Sequence, residues 1–125
     1  MQAPDGTIYL VSLGGCVLSI DPVAMTVINA FREDPPQGGR VPYNMVALSP
    51  AGDRLFLGAG PGLSSDDFAS EVRVIDLKTQ SRISTIPVDQ DTWSMATSPD
   101  GSVLYTARPE SDTLTATDIE TGQQI

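Results

Sequence analysis

One phrase recurs three times in this chain and limits what it can fold into more than any other feature. Asp5-Gly6-Thr7-Ile8-Tyr9 stands near the start, Ser49-Pro50-Ala51-Gly52-Asp53-Arg54-Leu55-Phe56 in the middle, and Ser98-Pro99-Asp100-Gly101-Ser102-Val103-Leu104-Tyr105 near the end. The matching glycines, at 6, 52 and 101, stand 46 and 49 residues apart. Each copy is a turn feeding a short apolar or alternating run. In Pro-Asp-Gly the proline presets φ, the Asp carboxylate accepts from nearby backbone N–H groups, and the glycine takes a positive φ. That combination closes a tight hairpin.

No segment of useful length carries a helical period, whereas short runs broken by Gly, Pro, Asp and Asn suit β-strands. In register, the three copies predict an order of four strands. The first precedes the Ser-Pro turn, at 43–48 and 92–97. The second follows it, at 7–11, 54–58 and 102–107. The third ends in a recurring Asp, at 17–21, 72–76 and 114–118, and the fourth follows a short polar turn, at 26–31 and 82–88. Four short strands repeated at such a period are the signature of a β-propeller blade. The expected fold is therefore all-β, made of antiparallel four-stranded blades. Blade one covers about 1–42 and lacks its first strand, blade two about 43–91, and blade three about 92–125 without its fourth. A closed disc takes about four to eight blades, and this chain holds roughly two and a half. It is expected to be a segment of a larger propeller or one part of an assembly, with uncovered sheet faces and open edges.

Composition removes several functions. The formal charge of −9 argues against binding a phosphate backbone, which needs clustered Lys and Arg. There is no histidine, so the usual general base and the commonest transition-metal ligand are missing. Cys16 is the single cysteine, which rules out an intrachain disulfide and a Cys-based zinc cage. It sits in the apolar run Cys16-Val17-Leu18 and reads as a small packed hydrophobe. No apolar run is long enough to span a membrane. The first residues form no signal peptide, so a cytoplasmic chain is expected if Met1 is the true start.

Function is expected at one end of the blades. The first-to-second and third-to-fourth turns share one face of a disc and are uniformly tight. The other face carries the second-to-third loops and the blade-to-blade connections, which vary in length. Blade one uses about two residues, Gly14-Gly15, blade two about a dozen (59–70), and blade three 108–113. Long loops on a rigid scaffold are where binding usually resides. The same face gathers the carboxylates Glu33, Asp34, Asp66, Asp67, Glu71, Asp89, Asp91, Glu110 and Asp112. Of these, Asp66, Asp67 and Glu71 are weak Ca²⁺ candidates, since hard cations take several oxygens but no Asp-x-Asp-x-Asp-Gly loop is present. Asp66-Asp67 can instead cap a helical turn. Trp93 opens a first strand, where it can stack on a ligand at the channel mouth or pack between blades. Arg40 and Arg108 can bind an anionic group or pair with the local acids, among them Asp89 and Asp91. Gly58-x-Gly60-x-Gly62 is no dinucleotide fingerprint, because no helix follows it. No residue set reaches the standard of a catalytic or cofactor site.

Three stretches carry a family resemblance. They are Glu71-Val72-Arg73-Val74-Ile75-Asp76-Leu77-Lys78-Thr79, then Ile83-Ser84-Thr85-Ile86-Pro87-Val88, then Ser98-Pro99-Asp100-Gly101-Ser102-Val103-Leu104-Tyr105. Together they resemble the YVTN-type β-propeller repeat. That resemblance implies a propeller, commonly seven-bladed, of a kind shared by surface-layer proteins, exported binding proteins and lactonase-like folds. Asp89 replaces the usual Gly after Ile-Pro-Val, Ala51 replaces the Asp of the central turn, and Ala24 stands where a turn Thr would be. No Trp-Asp pair ends the third strands, unlike a typical WD repeat. More narrowly, Leu114 to Gly122 is similar to the quinoprotein dehydrogenase repeat.

The reading that follows is a non-catalytic binding or scaffold module, part of a YVTN-like propeller presenting its long-loop face to a protein or small-molecule partner. The alternative is a fragment of a lactonase-like or quinoprotein-like enzyme whose site needs further blades. No cofactor, nucleic acid or membrane span is expected. The remaining blades of a parent propeller, or other copies of the chain, are expected neighbours.

Overall fold

A computed structural model describes residues 1–36, 43–59, 70–89 and 92–125. Among these residues ten strands form three antiparallel sheets in chain order. β1 (Ile8–Val11), β2 (Cys16–Asp21) and β3 (Thr26–Arg32) make the first sheet. β4 (Tyr43–Leu48), β5 (Arg54–Ala59), β6 (Glu71–Asp76) and β7 (Ser81–Pro87) make a complete four-stranded second sheet. β8 (Ser94–Thr97), β9 (Val103–Arg108) and β10 (Thr113–Asp118) make the third. Each sheet is an up-and-down meander in which consecutive strands pair antiparallel.

The repeated phrase is the same turn three times. Gly6 donates to the Ala3 carbonyl, Gly52 to Ser49 and Gly101 to Ser98, each at 2.9 Å. Their φ angles are 94°, 76° and 76°. Ala3 thus occupies in the first copy the place that Ser49 and Ser98 hold in the others. The turns also stack from blade to blade. A Cβ on Gly52 would lie 3.0 Å from Cδ of Pro4, and one on Gly101 3.6 Å from Cδ of Pro50. The prolines thus serve two ends at once, setting φ in their own turn and packing on the glycine of the next.

The third strands end as the sequence predicts, in an Asp that organises the following turn. Asp21 Oδ1 accepts from Val23 and Ala24, Asp76 Oδ1 from Lys78 and Thr79, and Asp118 Oδ1 from Thr121. Past β10 the backbone continues to pair: Gln123 O accepts from Asp118 N at 2.8 Å and Ile125 N donates to Ala116 O at 2.9 Å. The β1–β2 connection differs from the two-residue turn expected. It runs through Ser12, Leu13, Gly14 and Gly15, with Gly15 N donating to Ser12 O and Gly15 at φ 87°. A Cβ there would sit 1.9 Å from the Glu33 carbonyl oxygen, because Glu33 N donates to Gly15 O and draws the two backbones together.

Alternation along β5 and β6 explains where the core sits. Leu55, Leu57, Ala59 and Ile75 point to the first sheet and meet Val17 and Tyr43, with Tyr9, Val11 and Phe31 packed around them. Phe56, Val72 and Val74 point the other way, joining Ala47 and Ile86 of their own sheet to Leu104 and Ile119 of the third. The middle blade is therefore buried on both faces and supplies most of the fully buried side chains. Two thin cores, one per blade interface, replace the single core of an ordinary domain of this length.

Candidate functional site

The end of the blades opposite the Ser-Pro turns holds two groups of polar side chains, one at each blade interface. At the first interface lies a guanidinium clamp. Arg73 extends from β6 toward the first sheet. Its Nε donates to Glu71 Oε1 at 3.0 Å, and its Nη1 to Glu33 Oε1 at 3.1 Å and to the Asp34 carbonyl at 2.6 Å. Tyr43 Oη lies 3.3 Å from Nη1 and itself donates to the Asp34 carbonyl at 3.2 Å. Arg82 approaches Glu33 from the neighbouring strand at 3.7 Å. Burial pushes the Tyr43 hydroxyl above its ordinary pKa, though Arg73 pulls the other way. Burial likewise opposes the charge on Arg73, but Tyr43 and Glu71 outweigh it, and its pKa is raised. The group is mostly shielded from water, so its charges act on one another at reduced dielectric.

Glu71 and Glu33 face a cation already supplied by the chain, as Glu71 Oε1 and Glu33 Oε1 both bond Arg73. Asp66 and Asp67 lie outside the described residues. Among the described residues no group of three or more His, Cys, Asp or Glu is placed to hold a metal ion. Asp34 pairs with Arg32 at the surface. Arg73 and Tyr43 are not among the residues that the sequence marks as site candidates. An Arg flanked by valines in an alternating strand was the available signal, because a charge there needs a partner once both faces of the sheet are covered.

At the second interface lie Trp93, Arg108 and Asp89, three of the residues expected on the long-loop face. Trp93 N donates to Ala107 O at 3.0 Å, and Ser94 pairs with Ala107 in the β8–β9 register. Trp93 and Ser94 thus share Ala107 as their partner on β9, one residue before Arg108 at its end. Arg108 Nη1 is 3.8 Å from Asp89 Oδ2, and Thr92 Oγ1 donates to the Asp89 carbonyl at 2.7 Å. Trp93 is 52% exposed and belongs to neither apolar core, so it does not pack between the blades described. Arg108 Nε is buried and has no acceptor among the described residues. The β9–β10 connection beside it is a single 3-10 turn, Pro109–Ser111, closed by Asp112 at φ 52°. Arg40 and Asp91 lie outside the described residues. The arrangement offers a flat indole, a guanidinium with a buried free N–H among the described residues, and one carboxylate. Such a set recognises a partner's aromatic, acidic or hydrogen-bonding groups.

No family model matches the sequence, and no curated protein matches it. Solved structures do resemble its fold. Hydrazine synthase of Kuenenia stuttgartiensis superposes with a TM-score of 0.73 at 20% identity, over 99% of this chain and 33% of that one. The WD40 repeats of RRP9 superpose with a TM-score of 0.73 at 12% identity, over 100% of this chain and 36% of that one. The chain spans about a third of the length of these structures. Together with the three consecutive antiparallel meanders, they show an all-β fold of propeller-blade type.

Proposed function

We propose that this propeller arc is a non-catalytic binding module of YVTN-like type, and that it takes a protein or small-molecule partner at the end of the blades where Trp93, Arg108 and Asp89 meet. One observation carries this reading: a half-exposed Trp is held by a backbone hydrogen bond to Ala107, the residue before an Arg whose Nε–H is buried without an acceptor among the described residues. Exposed indoles and guanidiniums dominate binding energies where they occur together, because they bury large area at low entropic cost and bond directionally. The propeller resemblance supports a scaffold with loops at one end. The YVTN assignment rests on the Val-x-Val-Ile-Asp, Ile-Pro-Val and Ser-Pro-Asp-Gly segments quoted above.

A displayed library of random peptides, selected against the whole chain, tests the reading. Binders are expected to weaken at least ~10-fold against Trp93→Ala and against Arg108→Ala, the cost of losing one central contact. They are expected to bind Lys78→Ala, at the other end of the blades, like the unaltered chain. Binders indifferent to both substitutions would place recognition elsewhere and overturn it.

A further inference from the structure

The two outward sheet faces are halves of an interface that the chain already forms twice. In the middle blade, Ala47, Phe56 and Val74 line up across neighbouring strands and pack on the third blade. The third blade carries the matching row Ala96, Tyr105 and Ala116 on the face turned away from the middle blade, with Leu114 at the place of Val72. Phe56 is 1% exposed, whereas Tyr105 is 38% and Leu114 70% exposed. Tyr9 holds the same position in the first blade, where it packs against the middle one. An aromatic residue thus occupies the same register position in all three sheets, packed in the first two and partly exposed in the third.

The first blade presents the reciprocal surface. Leu55, Leu57 and Ile75 of the middle blade receive the first blade's core. Their counterparts by register in the first blade are Ile8, Leu10 and Ile20, on the face that points away from the middle blade, with Leu18 beside Leu10. Leu10 is 49% exposed, and none of the four is fully buried. Neither row carries a charged side chain, so their association would strand no ion.

We propose that these two faces bind each other between copies of this chain, the Tyr105 face of one copy against the Leu10 face of the next, in a head-to-tail contact that continues the blade-to-blade packing seen within the chain. The occupant is a second copy because the complementary surface is present on the same molecule, matched position for position. Such heterologous contacts close into rings when the rotation per copy permits. This inference is independent of the Trp93 site, which lies at the end of the blades.

Light scattering after size exclusion on the whole chain, over a range of concentrations, tests it with two variants. Tyr105→Asp disables one face and Leu10→Asp the other. Both positions are partly exposed, and circular dichroism would verify that each variant folds. The unaltered chain is expected to assemble as concentration rises, and each variant alone to remain monomeric. An equal mixture of the two is expected to form a dimer and nothing larger, because it retains one intact interface. Three results would overturn the proposal: an unaltered chain that stays monomeric throughout, assembly that survives either substitution, or a mixture that remains monomeric. The first would assign the faces to other blades or another partner, and the second would indicate like faces pairing with like.

Discussion

Three residues occupy the same left-handed position after the Asp that ends each third strand: Met25 at φ 56°, Gln80 at φ 58° and Gly122 at φ 71°. Only in the third blade does the sequence supply the residue that this geometry favours, since a Cβ at positive φ crowds the backbone. Gln80→Gly is therefore expected to stabilise the chain by about 0.5–1 kcal/mol, the relief of that crowding less the extra freedom that glycine gives the unfolded chain. Thermal or urea unfolding would show it, and a loss of stability would mean that the Gln80 side chain contributes more than its exposed position suggests. Asp100 shows how the repeated turn tolerates change. Its Oδ1 accepts from Ser98 Oγ at 2.6 Å, from Ser102 Oγ at 2.8 Å and from Ser102 N at 3.0 Å. In the middle blade Ala51 takes its position, and the carboxylate reappears two residues on as Asp53, which accepts from Ser49 Oγ at 2.7 Å. The bond from the Ser98 hydroxyl, followed by those from Ser102, draws the Asp100 pKa down to about 2 from 3.8. A depressed carboxyl contributes stability that is whole above the unfolded value and lost as pH falls through the folded one. Asp100→Ala should accordingly lower the unfolding midpoint at neutral pH, and the difference from the unaltered chain should narrow as pH falls from about 4 toward 2. A constant difference across that range would show that the carboxylate's charge plays no part.

At the scale of elements, Arg73 binds one blade to the next. It sits in β6, yet its Nη1 bonds Glu33 and Asp34, which follow β3. Removing the guanidinium leaves Glu33 and Glu71 facing each other with Arg82 as the remaining cation at 3.7 Å from Glu33. Arg73→Met is expected to cost about 2 kcal/mol, below the 3–5 typical of a fully buried pair because these groups keep some contact with water. Denaturant unfolding of Arg73→Met beside the Glu33→Gln, Glu71→Gln, Arg73→Met triple variant would measure it. Recovery of stability in the triple variant is the expected sign that the loss arose from stranded charge. Strand order was legible because period-two alternation, Pro-x-Gly turns and terminal Asp residues are local signals, and all ten strands lie within a residue or two of where those signals place them. The clamp was not legible. Glu33 and Arg73 are 40 residues apart in sequence, and nothing local says which loop acid will meet which strand cation. Similarly, the shape of the β1–β2 turn depends on Glu33 N reaching Gly15 O, a contact made by the following connection rather than by the hairpin itself.

The molecule as a whole is a middle blade with two flanking ones, and its stability should be graded accordingly. Hydrogen exchange is expected to be slowest in β5 and β6, whose side chains are largely buried, and fastest in β3 and β10, whose outward positions are exposed. Equal protection throughout would indicate that the outer faces are covered in solution. Equivalent substitutions should separate in the same way. Phe56→Ala is expected to cost about 3–5 kcal/mol, as for a large core side chain, while Tyr105→Ala costs the isolated chain far less. Unfolding of the two at low concentration would compare them directly. The sequence alone determined the repeat, its period, the strand order and the turn chemistry, because each depends on residues within one hairpin. It also carries the expectation that Trp93, Arg108 and Asp89 share one end of the blades, since strand direction follows from the meander. Tertiary structure alone decided which face of each sheet is covered, that Glu71 is paired with Arg73, and that Trp93 stands half-exposed. Those outcomes depend on which blade packs against which, and alternation along a strand presents two apolar faces without saying what each will meet.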